Sequence, residues 1–107
     1  MDFSIKKEVT NVTFLSLSGD FNICDYKVLK NLLQDITTEI IVFDFSKVNY
    51  VNSSMFDILI KCTKQYKVHL CNVSNQFLEI AELLGLNHIL PLYHSKEQIE
   101  AILAQGV

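Results

Sequence analysis

Glycine is scarce in this chain. Only Gly19, Gly85 and Gly106 occur among 107 residues. No glycine-rich loop is present to cradle a phosphate, neither of the Walker kind nor of the dinucleotide-binding kind. A nucleotide hydrolase built on such a loop is therefore excluded. Proline occurs once, at Pro91, and tryptophan not at all. The longest uninterrupted apolar runs are a few residues, far short of the ~20 that span a bilayer as a helix. Direct membrane insertion is not expected. The opening Met1-Asp2-Phe3-Ser4-Ile5-Lys6-Lys7 has no basic region leading into an apolar core. It does not read as a signal peptide, and a cytoplasmic location is expected.

Positive charge is also in short supply. The formal net charge is −3, whereas binding to nucleic acid without sequence preference needs a basic footprint. Lys61, Lys64 and Lys67 form one local basic cluster around Tyr66. Lys61 and Lys64 fall at the end of a predicted helix, where cations suit the dipole, so a solvated helix end accounts for them. The cysteines Cys24, Cys62 and Cys71 are odd in number and form no Cys-x-x-Cys pair. This argues against a disulfide framework and a thioredoxin-type centre. Their apolar neighbours predict small buried hydrophobes. His69, His88 and His94 lack metal-ligand spacing, and neither a metal site nor a cofactor is expected. Ser53 and Ser54 lack the glycine flanks of a hydrolase nucleophile elbow, so nothing points to an enzyme.

What is present is a globular composition. Half of the residues are hydrophobic and a fifth are charged. Residues 1–107 are the size of one domain, with no linker or repeat. Phe3 to Val9 and Val12 to Leu17 read as strands joined at Thr10-Asn11, and Gly19-Asp20 ends the second. Asn22 with Asp25 reads as a helix cap, followed by Val28, Leu29, Leu32, Leu33 and Ile36 on one face. Ile40 to Phe43 is apolar without alternation, as in a strand covered on both faces, and Asp44 ends it. A loop is predicted from Phe45 to Val51. A helix follows from Ser53, apolar at Met55, Phe56, Ile58, Leu59, Ile60 and Cys62, with Asp57 and Lys61 placed to pair. Val68 to Val73 reads as a strand. Ser74 or Asn75 caps the next helix, with Phe77, Ile80, Ala81 and Leu84 inward and Gly85 as its stop. Any strand beside Pro91 is short or at an edge. Ser95 with Gln98 opens a last helix using Ile99, Ile102 and Leu103. The order β-β-α-β-α-β-α-(β)-α predicts an α/β fold. Its sheet is mixed and mainly parallel, of four to five strands, with about four helices.

Helix capping accounts for Asn52-Ser53-Ser54 on spacing alone. A resemblance adds to this. Leu17-Ser18-Gly19-Asp20-Phe21-Asn22 resembles a strand end that usually reads Gly, acid, apolar residue, Asp. Val42-Phe43-Asp44-Phe45-Ser46 resembles a central strand ending in Asp-Leu-Ser. Tyr50-Val51-Asn52-Ser53-Ser54-Met55 takes the place of an Asp-Ser-Ser-Gly or Asp-Ser-Thr-Gly signature. Leu83-Leu84-Gly85-Leu86 followed by Ile89 resembles a late helix with a Gly-Leu ending. In this order, from about Val12 to Ile102, the chain resembles STAS domains, and among them the bacterial anti-sigma-factor antagonists.

That resemblance implies a regulatory binding module. Its partner would be a kinase-type anti-sigma factor that phosphorylates the serine after the signature acid, and a metal-dependent serine phosphatase would reset it. Carried over, the phosphoacceptor is Ser53, and the partner-binding surface is Asn22, Asn52, Ser53, Ser54, Met55, Phe56 and Asp57. Asn22 and Asn52 stand where acids are usual. Met55 stands where glycine is usual, adding bulk at the expected approach of a partner. STAS domains also act as unphosphorylated subunits of ABC-type ATPases in phospholipid trafficking, and the missing acids suit such a constitutive contact.

Overall fold

The computed structural model describes residues 1–9, 11–50, 53–86 and 92–93, and the predicted helix from Ser95 lies outside them. A hairpin opens the chain, with β1 (Asp2–Val9) antiparallel to β2 (Val12–Asp20). Asn11 makes the turn at φ 67°, a left-handed conformation that asparagine tolerates. Three crossovers follow: α1 (Ile23–Gln34) to β3 (Ile40–Tyr50), α2 (Ser53–Cys62) to β4 (Lys67–Cys71), and α3 (Asn75–Leu83) to β5 (Leu92–Tyr93). The sheet order is β1-β2-β3-β4-β5, parallel from β2 onward. This is the predicted mixed, mainly parallel α/β architecture, with five strands and three helices among the described residues.

The three helices bury one face of the sheet. Leu15, Leu17, Ile41, Phe43, Val68 and Leu70 meet Leu29 and Leu33 of α1, Met55 and Leu59 of α2, and Phe77 and Ala81 of α3. Strand residues of opposite parity form a second buried cluster: Val12, Phe14, Ile40, Val42 and Cys71. Ile40 to Val42 is thus apolar without alternation because both faces of β3 are buried.

Four expectations need correction. β3 does not end at Asp44. It continues to Tyr50, pairing with β2 through two register shifts. Asp44 serves this continuation: its Oδ1 accepts from the Ser46 amide at 2.9 Å and from Asn72 Nδ2 at 3.0 Å. The polar Ser46, Lys47 and Asn49 resemble a loop only because this half of the strand is solvent-facing. Cys24 is exposed and not a core residue, whereas Cys62 and Cys71 are buried. Val28 on α1 is exposed, as is Leu84 after α3. Twelve residues of α1 present one face to the core, and Val28 lies beyond the stripe formed by Leu29 and Leu33.

Helix ends are satisfied largely as the sequence indicates. The Asn22 amide donates to Asp25 at the start of α1. Ser74 is the cap of α3, its Oγ accepting from the Phe77 amide at 3.0 Å. Gly85 follows at φ +72°, the left-handed conformation that closes a helix at least cost with glycine. The Tyr66 hydroxyl lies 2.8 Å from the carbonyls of both Leu33 and Ile36, giving a donor to the open end of α1.

Candidate functional site

The parallel strands deliver the starts of α1, α2 and α3 to one end of the sheet. Ligands of open α/β sheets bind outside the carboxyl ends of the strands. The Phe21 amide donates to the Tyr50 carbonyl at 2.9 Å, which ties the entry to α1 to the end of β3. Asn22 and Ser53, the first candidates from the sequence, are therefore at the same end, and both are exposed.

The other candidates divide. Ser54 is half-buried, and Asn52 lies outside the described residues. Met55 is fully buried and Phe56 nearly so, both in the main core. The bulk of Met55 therefore points into the protein and not toward an approaching partner. Asp57 is exposed but faces α1, where it is engaged in a local network. Lys61 Nζ lies 3.1 Å from Asp57 Oδ2, the predicted pair. The Tyr26 hydroxyl donates to the same oxygen at 3.1 Å and accepts from Lys61 Nζ at 3.2 Å. The Lys61 and Tyr26 hydrogen bonds hold the Asp57 carboxyl below its usual range. The Tyr26 and Asp57 bonds hold Lys61 above its own.

Ser53 borders a half-open groove of about 390 Å³. One wall is the second half of β3, with Phe45, Val48, Asn49 and Tyr50; Ser53 and Phe56 of α2 form another. Across from them stand Ser74, Gln76, Phe77, Ile80 and Leu84. The Phe77 ring packs on Phe45 and Phe56, with centroids 5.0 and 4.8 Å apart and tilted planes. These are ordinary aromatic contact geometries that leave a firm apolar floor. No Asp, Glu, Lys or His lines the groove among the described residues. Tyr50 and Leu84 are large apolar side chains left more than half exposed at its edge. The sequence reading missed the β3 and α3 walls, because they come from segments distant from Ser53. The signals available were an aromatic, Tyr50, in a polar stretch, and the pair Leu83-Leu84, whose two side chains are both exposed.

Among the described residues no group of three His, Cys, Asp or Glu is arranged to hold a metal ion. No helix among them is long and apolar enough to cross a membrane.

The architecture has relatives. The family model for the STAS domain matches residues 4–99. This chain belongs to the STAS domain family. Among solved structures, the anti-sigma factor antagonist SpoIIAA in its unphosphorylated form superposes with a TM-score of 0.79 at 12% identity, over 96% of this chain and 97% of that one. An anti-sigma factor antagonist from Mycobacterium paratuberculosis gives 0.77 at 16%, over 94% and 92%. A sulfate transporter family protein from Wolinella succinogenes gives 0.69 at 18%, over 86% and 84%. At these identities the likeness carries the STAS fold alone. No curated protein sequence matches the chain.

Proposed function

We propose that this STAS domain is a regulatory binding protein of the anti-sigma-factor antagonist type, acting in the cytoplasm and switched by phosphorylation of Ser53. In this reading a kinase-type anti-sigma factor binds the end of the sheet around Asn22, Asn52 and Ser53, and phosphorylates Ser53. A metal-dependent serine phosphatase removes the phosphate. The observation that supports it most is the setting of Ser53: an exposed residue at the start of α2, on the edge of a groove whose described lining is largely apolar and carries no Asp, Glu, Lys or His. Similar folds in SpoIIAA and the mycobacterial protein, both anti-sigma factor antagonists, agree with it.

The physics of the switch is local. A phosphate adds roughly −1.5 to −2 charges. At a helix start, unpaired backbone N–H groups and the dipole make it tolerable to the domain itself. Pressed against a partner it must be desolvated beside Tyr50 and a groove whose described lining holds no lysine or histidine to pair with it. A loss of about 3 kcal/mol weakens a complex more than a hundredfold. The test is purification of the native complex with intact-mass measurement. A histidine-kinase-fold ATPase should co-purify, Ser53→Asp should weaken its binding at least about tenfold, or roughly 1.4 kcal/mol, and Ser53→Ala should bind and accept no phosphate. Equal affinity of wild type and Ser53→Asp would sink the switch.

A second reading rests on Asn22 and Asn52, which stand where the family usually has acids. Here the domain is an unphosphorylated subunit of an ABC-type ATPase in phospholipid trafficking. Recovery of a transport ATPase with no added phosphate mass would select it.

A further inference from the structure

We infer that the groove between β3, α2 and α3 is a small-molecule site for an uncharged, mainly apolar ligand carrying one or two hydrogen-bonding groups. Its volume, about 390 Å³, falls within the roughly 300–1,000 Å³ of small-molecule sites. That is more room than one inserted partner side chain fills. The lining is largely apolar: Val48, Tyr50, Ile80 and Leu84 stand over the nearly buried rings of Phe45, Phe56 and Phe77, which pack on one another. Polar residues line it from three separate elements: Asn49 of β3, Ser53 of α2, and Ser74 with Gln76 at the start of α3. A few convergent polar groups over an apolar floor are what orient a ligand in such sites. The class follows from charge. With no cation or acid in the described lining, a charged ligand would lose its hydration without a partner ion, whereas a hydroxyl or amide finds its hydrogen bond.

The site needs only the groove. Its regulatory consequence rests on the phosphoacceptor reading of Ser53: a ligand lying against that hydroxyl shields it from a kinase, and a phosphate there disfavours the ligand.

The experiment is an NMR titration of the ¹⁵N-labelled full chain with naphthalenemethanol, naphthoate and naphthylmethylamine, which share one ring system and differ in charge. The neutral alcohol should give saturable shifts centred on the amides of Val48, Asn49, Ser53, Ser74 and Phe77. The two charged analogues should bind at least about tenfold more weakly, the cost of desolvating an unpaired charge. Ile80→Trp fills the groove and should abolish the shifts. Because that change touches the core, Leu84→Asp, at an exposed position, is the second variant and should weaken binding severalfold. The titration uses unphosphorylated chain throughout, so the site stands or falls on its own even where phosphorylation of Ser53 fails. Absence of saturable shifts, shifts centred elsewhere, or tighter binding of either charged analogue would overturn the proposal, as would protection of these amides by a protein partner alone.

Discussion

The residue that most changes meaning between sequence and structure is Met55. By resemblance it stands where a signature glycine is usual, beside the acceptor serine. In the fold it is fully buried within the main core. A glycine there would empty volume that the methionine fills and would loosen the first turns of α2. Met55→Ala should therefore cost about 2–4 kcal/mol, the usual range for truncating a buried methionine. Urea unfolding at equilibrium measures it. A change below about 1 kcal/mol would mean that the surroundings collapse onto the gap, since the cost depends on such relaxation. Asp57 shows the opposite case. Its pairing with Lys61 was legible from the i, i+4 spacing. Tyr26, which joins the pair from α1, was not, because nothing in local sequence places α1 beside α2.

Elements were legible where their ends are marked. Asn22 with Asp25, Ser74, and Gly85 each carry a local signal that the backbone obeys. The cap of α3 is a place to test this. Ser74→Ala removes the oxygen that accepts from the Phe77 amide at 3.0 Å, and should cost about 1 kcal/mol. Because Phe77 carries the aromatic floor of the groove, the same variant should broaden the NMR signals of Phe45 and Phe77 if the cap also holds that ring in place. The element misread from sequence was β3. Asp44, Ser46 and Asn49 have turn chemistry, and period-2 patterning breaks where the register shifts. The strand persists because β2 supplies partners as far as Tyr50, a tertiary fact that residue preferences do not contain. The consequence is geometric, since this half of β3 is one wall of the groove that Ser53 also lines.

At the scale of the whole molecule, sequence order and sheet order coincide, β1 through β5. Each parallel crossover therefore places its helix beside the previous one on the same face. Alternating strands and helices were enough to predict a mixed, mainly parallel sheet, but not the strand order or the single helix-covered face. The candidate site was half legible: Asn22 and Ser53 are brought to one end of the sheet, whereas the α3 wall depends on packing. The cysteines offer a readout of the global fold. Cys24 is exposed on α1, Cys62 sits in the main core, and Cys71 sits in the cluster on the other face of the sheet. Burial pushes the Cys62 thiol up to about 11, which keeps it protonated and unreactive near neutral pH. In a disulfide-exchange assay near pH 8, one thiol should react quickly in the native protein. The other two are both buried and should react only as the chain opens. Met55→Ala should speed that slow phase and leave the fast one unchanged, since it destabilises the core without touching Cys24. If Cys71 instead reacts early and Cys62 late, the two faces of the sheet open independently, and the domain is not a single cooperative unit.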